Sequence, residues 1–388
     1  MTVAIITANY PPTICGVGDH TLQLVQALLK AGVETHIICG AHQKPELVVE
    51  PKIYPIIEEW NKKGFKTTIE KLEKIQPDWV VVQYEPHGYN PKGLPFAILG
   101  FYEALTKKKY SVLTVFHEVR VRPGNKLSTR FISAVETYIA RQLTLKSTKV
   151  ATSIDFYVDL LRGGRKDLPI NIVPIGSGIE PVETSSAIKF ALKKRYDIPQ
   201  NVPVIVTFGN RNIEIYLADF DKLAQDMPDF IWLLCGKTST SPSVLKSRPY
   251  IRHTGEMSAT DIYQALSLGD VAFLPEPVSP KMEGGSSNKS TALACGFSLG
   301  IPIVGIKGDM NNSLLKHDEN ILLVDMYQPN DLYKSLKICL DTEGSRQRLG
   351  QGAADLYNTA LAWNIVGKQY LSLMGIHIKY RELTTKSA

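Results

Sequence analysis

The chain of 388 residues contains no apolar run close to the roughly 18 residues that span a bilayer. It has only five cysteines, and it has neither a Cys-x-x-Cys nor a His-Glu-x-x-His spacing. These absences argue against a membrane-spanning protein, a disulfide scaffold and a structural zinc site. Met1-Thr2 leads directly into an apolar strand, with no basic region of the kind that opens a signal peptide. We therefore expect a cytoplasmic protein with reduced thiols.

The charge balance is mildly basic, with 44 Lys and Arg against 38 Asp and Glu, a net charge of +6. No dense basic stripe accompanies it, which argues against a nucleic-acid-binding protein and favours anionic small molecules as partners. Three short basic clusters leave open a weak, peripheral contact with anionic lipid, although solvated surface is the simpler interpretation. They are Lys62-Lys63, Lys107-Lys108-Lys109 and Lys193-Lys194-Arg195.

Short apolar runs alternate with helical patterns in both halves of the chain, which predicts parallel sheets covered on both faces. The predicted strands are 3–8, 34–39, 79–82, 111–116 and 149–152, then 202–208, 230–234, 271–274 and 301–304. The sequence thus predicts two doubly wound, Rossmann-like α/β domains that face a cleft. We place the N-terminal domain at 1–180, a linker at 181–200, the C-terminal domain at 201–354, and a final helical segment that returns to the first domain at 355–388.

Three segments carry candidate chemistry. A Gly16-x-Gly18 turn after the first strand feeds a helix, where backbone amides suit phosphate; because position 21 is threonine, the turn lacks the third glycine of a dinucleotide fingerprint. His117 follows a buried strand, where α/β folds place active groups, and Glu118 is a candidate either to set its tautomer or to hydrogen-bond a loop. A third stretch combines a glycine pair, a helix start capped by Ser286 or Ser287, and Lys289.

In their order and spacing these segments resemble GT-B glycosyltransferases of the family 4-like type, along nearly the whole chain. The first 38 residues carry Tyr-Pro-Pro, Gly-Val-Gly-Asp-His-Thr and an apolar helix. The other matching segments are Pro77–His87, Thr114–Glu118, Val173–Glu180, His253–Glu256, Gly269–Pro275, Glu283-Gly284-Gly285 and Trp363.

The resemblance implies a retaining, metal-independent hexosyltransferase without a cofactor, whose co-substrate is a nucleotide-diphosphate sugar. The acceptor would be a hydroxyl of a small molecule, a glycan or a lipid-linked compound. His117 and Glu283 would be the catalytic residues that contact the donor sugar. The implied donor-binding residues are Gly16, Gly18, Arg211, Gly284, Gly285, Ser286, Ser287, Lys289 and Thr291. On the acceptor side they are Asp19, Tyr84, Glu85 and His87.

The chain also departs from the family pattern. Thr291 stands where most relatives have a second acid, eight positions after Glu283, as in a variant branch that lacks this acid. A lysine expected about five positions after Arg211 is missing, and Lys237 is a candidate substitute. Asp219 and Asp221 lie in a helical pattern that points them apart, which argues against a metal site.

Two alternatives remain open at this stage. One is a GT-B enzyme that forms no glycosidic bond with an acceptor, such as a nucleotide-sugar epimerase or a sugar phosphorylase. The other is a non-catalytic protein that binds nucleotide sugars, since the missing acid and lysine are what a degenerate site would show.

Overall fold

The computed structural model describes residues 1–13, 15–42, 51–165 and 167–376, which form two compact units. The first unit comprises Met1–Val173 with the segment from Trp363 onward, and the second comprises Pro174–Ala362. The predicted linker at 181–200 lies inside the second unit, where it includes a helix whose Leu192 packs in that unit's core. Of the predicted terminal segment, residues 377–388 lie outside the described residues.

The first unit is a parallel sheet with helices on its faces. Its elements are β1 (Thr2–Ile6), α1 (Gly16–Lys30), β2 (Glu34–Gly40), β3 (Lys52–Ile57), α2 (Lys62–Ile75), β4 (Trp79–Tyr84), α3 (Pro86–Tyr89), α4 (Ala97–Lys107), β5 (Val112–Phe116), α5 (Leu127–Lys146), β6 (Lys149–Thr152), α6 (Asp155–Arg162) and β7 (Ile170–Ile172). Within the described residues the sheet has seven strands in the order β3-β2-β1-β4-β5-β6-β7.

The second unit repeats this architecture. Its elements are α7 (Ser186–Arg195), β8 (Val204–Phe208), a 3₁₀ turn (Glu214–Tyr216), α8 (Leu217–Asp226), β9 (Ile231–Cys235), α9 (Pro242–Lys246), β10 (Ile251–His253), α10 (Ala259–Leu266), β11 (Val271–Phe273), α11 (Thr291–Ser298), β12 (Ile303–Ile306), β13 (Leu322–Val324), α12 (Asp331–Asp341), α13 (Glu343–Leu356) and a π-helical turn (Tyr357–Leu361). Its sheet order, among described residues, is β10-β9-β8-β11-β12-β13. No helix in the described ranges is long and apolar enough to cross a bilayer.

Burial on both faces explains why the central strands were recognisable in the sequence. Val3 to Ile6 and Val80 to Val82 have no exposed surface, and the strands named above pair in parallel throughout the described part of both sheets. The prediction of two doubly wound parallel α/β domains is confirmed, and each of the nine predicted strands is present. The four strands that the sequence did not predict are β3, β7, β10 and β13, and they form the edges of the two sheets.

The last helix, α14 (Trp363–Leu373), belongs to the first unit and packs against α1. Val366 and Tyr370 are buried at this contact. Gly367 lets the helices approach closely, because a Cβ built on it would lie 2.6 Å from the Cβ of Ala27.

Gly367→Ala tests this contact through the sign of its effect. Helix propensity alone favours alanine by about 1 kcal/mol, but the added methyl group collides with Ala27, so we expect a loss of about 1–3 kcal/mol. The matched control is Gly100→Ala in α4, where nothing lies within 4 Å and stability should rise. Urea unfolding measures both, and a stabilised Gly367→Ala variant would contradict the packing described.

Candidate functional site

In the first unit the strand order reverses between β1 and β4, and ligands of doubly wound sheets bind at the carboxyl side of such a switch point. The hydroxyl of Tyr89 contacts the backbone near the ends of both strands. It lies 3.3 Å from the carbonyl oxygen of Ile6 and 3.0 Å from that of Gln83. The residues that follow β1, β4 and β5 therefore share one edge of this sheet.

The glycine turn after β1 is the beginning of α1 itself. The helix starts at Gly16, five residues before Thr21, and its N-cap residue Cys15 makes no side-chain capping bond. The first amides of a helix have no intrahelical partner, so those of Gly16, Val17 and Gly18 form an uncapped, partly positive terminus. Asp19 lies in the same turn, and burial raises the pKa of its carboxyl group.

His117 directly follows β5, as predicted, and is buried. Its backbone amide donates to the carbonyl of Tyr84 at 3.0 Å, and its Nε2 lies 2.6 Å from Oε1 of Gln83. Burial lowers the pKa of His117 to about 4, so the imidazole is neutral at pH 7. With the Gln83 oxygen accepting, the proton sits on Nε2 and Nδ1 is left as an acceptor.

The side chain that bonds Nε2 of His117 was not found from the sequence. The sequence proposed Glu118 for this role, but the structure shows Gln83 there, and Glu118 instead accepts a hydrogen bond from the hydroxyl of Tyr157. The physical reason is strand pairing. Gln83 lies opposite Val115 in the parallel β4–β5 register, one strand away from His117, whereas sequence adjacency drew attention to Glu118.

A second buried histidine, His20 in α1, lies against His117 with ring centroids 4.7 Å apart in an edge-on arrangement. Its Nε2 is 3.3 Å from the hydroxyl of Tyr370, and Trp363 lies against its other side. Burial and the neighbouring His117 lower the pKa of His20 well below its ordinary value. Its Nδ1 has no hydrogen-bond partner among the described residues. The sequence analysis singled out the segment Gly-Val-Gly-Asp-His-Thr that contains His20, but it predicted no role for this histidine.

The predicted acceptor-side residues differ in burial: Tyr84 lies in the core of the first unit, whereas Glu85 and His87 lie at the edge of its sheet. Tyr84 is fully buried and packs against Phe116, so its ring belongs to the core next to this edge of the sheet. Glu85 caps α3 by accepting the amides of His87 and Gly88. The imidazole of His87 reaches a carboxylate that the sequence did not predict, with Nε2 3.5 Å from Oε1 of Glu136 in α5.

Glu136 has no exposed surface, and burial raises the pKa of its carboxyl group. Its Oε2 accepts the amide of Val121 at 2.6 Å, in the loop that follows His117. The carboxylate therefore connects α5 to the edge that carries His117 and His87.

In the second unit the strand order reverses between β8 and β11. Arg211 follows β8 and Glu276 follows β11, and they form an ion pair with Nη2 2.8 Å from Oε1. The hydroxyl of Ser290 donates to the same carboxylate at 3.2 Å. Burial raises the pKa of Glu276, and the charges of Arg211 and nearby Lys289 oppose that rise. The predicted Arg211 and Lys289 thus both act on Glu276, an acid that the sequence did not predict.

The predicted glycine pair shapes a tight loop. Gly284 has φ of 114°, and a Cβ on it would lie 2.2 Å from the carbonyl oxygen of Pro277. The amide of Gly284 donates to Asp309 at 2.8 Å, and that of Gly285 to Pro277 at 2.9 Å. Glu283 is exposed at the start of the loop, 3.2 Å from the hydroxyl of Ser279. The two glycine amides are therefore used inside the unit.

The expected helix cap lies elsewhere than the sequence placed it. Ser290, not Ser286 or Ser287, caps α11, and its hydroxyl accepts the amide of Leu293 at 3.3 Å. Ser286 is buried and exchanges hydrogen bonds with the backbone of Ile306, which is why it does not reach the helix. Ser287 is also buried. Thr291 is the first residue of the helix.

The two remaining candidates, Lys237 and the Asp219–Asp221 pair, have partners other than Arg211 and Glu276. Lys237 forms a salt bridge with Glu256 at 3.1 Å, in an exposed position. Asp221 accepts both Nε and Nη2 of Arg248 and the hydroxyl of Tyr250, while Asp219 accepts the backbone amide of Tyr333. The carboxylates of the Asp-x-Asp pair thus have separate structural partners.

Comparison with solved structures defines the fold. Sucrose-phosphate synthase from Thermosynechococcus elongatus is similar over 96% of this chain and 98% of its own, with 13% identity and a TM-score of 0.68. Anabaena Alr3699/HepE in complex with UDP covers 97% and 100%, with 13% identity and a TM-score of 0.68. WaaG, a glycosyltransferase involved in lipopolysaccharide biosynthesis, covers 96% and 100%, with 12% identity and a TM-score of 0.66.

Structures of UDP-N-acetylglucosamine 2-epimerases also match, with TM-scores of 0.56 and 0.58. No protein-family model and no curated protein sequence matches the chain. The chain has the GT-B fold, with two Rossmann-like units built on parallel sheets of seven and six described strands.

The neutral state of His117 has a consequence for folding stability. Its pKa is about 4 in the folded chain, below the ordinary 6.5, so the unfolded chain binds the extra proton as the pH falls through this window. Stability is therefore lost on acidification. Between about pH 7 and about pH 5 the wild type should lose roughly 2 kcal/mol more than His117→Asn. Urea unfolding at both pH values measures this, and equal losses would show that His117 is not a buried neutral base.

Proposed function

We propose that this chain is a retaining glycosyltransferase that moves a hexose from a nucleotide-diphosphate sugar to a hydroxyl acceptor. The observation that carries the proposal is the position of Arg211 at the β8–β11 switch point, beside Lys289 and the N-terminus of α11. This is the edge where doubly wound sheets bind ligands, and guanidinium, ammonium and helix amides together suit a diphosphate. The similar structure of HepE in complex with UDP supports a uridine nucleotide as the first donor to test.

Glu276 is the ion-pair partner of the site's arginine. The guanidinium of Arg211 is neutralised by this carboxylate, which is largely withdrawn from water. A diphosphate offers the guanidinium more negative charge than one carboxylate does, so its arrival favours an exchange of partners. The amides of Thr291 and Ala292, at the start of α11, extend the site. Because the amides of Gly284 and Gly285 are occupied, we assign these glycines to loop shape rather than to direct phosphate contact.

The chemistry follows from these assignments. The leaving diphosphate takes up negative charge as the bond to the sugar breaks, and Arg211, Lys289 and the helix amides stabilise that charge. Its oxygen accepts the proton of the incoming hydroxyl on the same face of the sugar, so the configuration is retained and no protein nucleophile is required.

The remaining residues have proposed roles in holding the substrates. In the first unit, neutral His117 accepts a hydrogen bond from a substrate hydroxyl through Nδ1. In the second unit, exposed Glu283 accepts hydrogen bonds from hydroxyls of the donor sugar. In the first unit, the uncapped α1 terminus at Gly16 and Gly18 offers donors to an anionic group, and Asp19, Glu85 and His87 line the acceptor side, with Tyr84 beneath them. No metal or cofactor is part of this mechanism.

The test begins with a thermal-shift screen of UDP-, GDP-, ADP- and TDP-sugars, followed by an assay of nucleotide release with the donor that stabilises the chain. Arg211→Gln should weaken binding of the nucleoside diphosphate at least about tenfold, because its charge meets the phosphates. Arg248→Gln is the matched control. Arg248 is also an ion-paired arginine of the second unit, with 23% side-chain exposure against 28% for Arg211, and its removal should leave affinity unchanged.

Each other outcome identifies an alternative. If Arg211→Gln and the wild type bind the nucleoside diphosphate with equal affinity, the diphosphate site proposed at Arg211 is wrong. Conversion of the donor to a free epimer without any acceptor would assign the chain to the epimerases. Donor binding without nucleotide release or sugar conversion, in the presence of varied acceptors, would indicate a non-catalytic binding protein.

A further inference from the structure

Helix α5 is apolar on two opposite faces. One face, including Ile139, Ala140 and Leu143, is buried, and the helix packs between α4 and α6. The other carries four large apolar side chains that are exposed: Leu127 at 80%, Phe131 at 62%, Tyr138 at 55% and Leu145 at 47%. Their spacing of 4, 7 and 7 residues, at 100° per residue, places them within an arc of about 40° on the side of the helix opposite the buried face. We call these four residues the α5 stripe.

The surroundings of the α5 stripe are basic. Between Val119 and Lys149 the sequence has a single acid, Glu136, which is fully buried on the opposite side of the helix. The same segment has seven bases: Arg120, Arg122, Lys126, Arg130, Arg141, Lys146 and Lys149. Lys126 and Arg130 are exposed and flank the end of the stripe where Leu127 and Phe131 lie.

Acids on the neighbouring helices do not cancel this charge. Glu103 on α4 is 3.8 Å from Lys146, near the far end of the stripe. Asp155 and Asp159 are exposed on α6, whereas Lys107, Lys108 and Lys109 follow one another at the end of α4. Exposed apolar side chains set among bases, with few acids, are typical of helices that lie in the interface of anionic membranes.

We propose that the α5 stripe binds the surface of an anionic lipid bilayer, with Leu127 and Phe131 entering the headgroup region and Lys126 and Arg130 contacting lipid phosphates. Charge decides between this and a second copy of the chain. A symmetric contact would bring two basic segments together, whereas an anionic bilayer complements them. The inference does not depend on glycosyl transfer.

The position of α5 links this surface to the candidate site. The helix begins ten residues after His117, at the carboxyl edge of the first sheet, and Glu136 within it contacts His87. Docking through the α5 stripe would hold this edge near the bilayer surface, where the hydroxyl of a lipid-linked acceptor lies.

Vesicle flotation of the full chain tests the proposal. Vesicles of phosphatidylcholine alone are compared with vesicles containing about 30% phosphatidylglycerol. We expect binding to the anionic vesicles only, weakened by salt because charges near the surface are screened. The double variant Leu127→Ser/Phe131→Ser should bind at least about tenfold more weakly, since two apolar side chains no longer leave water. Both changes are on exposed side chains, so thermal unfolding should stay near that of the wild type.

The matched control is Phe190→Ser on α7, where a phenylalanine is 58% exposed beside the cluster Lys193-Lys194-Arg195. It should bind vesicles as the wild type does. The proposal is overturned if the wild type binds neither kind of vesicle, if the double variant binds as well as the wild type, or if Phe190→Ser abolishes binding. It is also overturned if the wild type forms a dimer that the double variant lacks while neither binds vesicles, which would assign the stripe to self-association.

Discussion

Parallel pairing of buried strands is the constraint from which the candidate site follows. In a parallel sheet every strand ends at the same edge, and short loops there bring together residues far apart in sequence. Arg211 and Glu276 are 65 residues apart, yet they meet because β8 and β11 are neighbours. In the same way, Gln83 reaches His117 because β4 pairs with β5. A one-residue shift in the register of either pair would break the contact at that pair, because successive side chains of a strand point to opposite faces.

The two units treat charge differently at these edges. In the first unit, burial keeps the imidazoles of His20 and His117 neutral, and aromatic rings fill the space around them. A neutral imidazole can hold a hydroxyl without attracting a phosphate. In the second unit, full charges are kept but paired, as between Arg211 and Glu276. Such a pair remains available for exchange with a more highly charged anion. The first arrangement suits sugar and acceptor hydroxyls, and the second suits a diphosphate.

The sequence predicted the central strands well and the sheet edges poorly, for one reason. Central strands are buried on both faces and read as unbroken apolar runs, such as Val80-Val81-Val82. Three of the edge strands, β7, β10 and β13, have only three residues each. The fourth, β3, has six residues but is partly exposed and contains Pro55, which an edge strand tolerates. Such segments show neither an unbroken apolar run nor an alternating pattern from which a strand could be predicted.

Within the site, local motifs were predictable and partners across strands were not. His117 and Arg211 stand directly after apolar strands, which is a signal that a single sequence carries. Gln83, Glu276 and Glu136 gain their roles from neighbours 34, 65 and 49 positions away. Only strand order and helix packing reveal such pairs. Ser290, not Ser286, caps α11 because the side chain and backbone of Ser286 are hydrogen-bonded to Ile306 at the end of β12, a pairing that composition does not show.

Hydrogen–deuterium exchange of the full chain with and without UDP is the measurement that tests the central claim most directly. We predict slower exchange in the segments around Arg211, Glu276 and the start of α11, where a diphosphate would order the backbone. Exchange that slows only outside these three segments, or no change at a UDP concentration that stabilises the chain, would contradict the proposed diphosphate site.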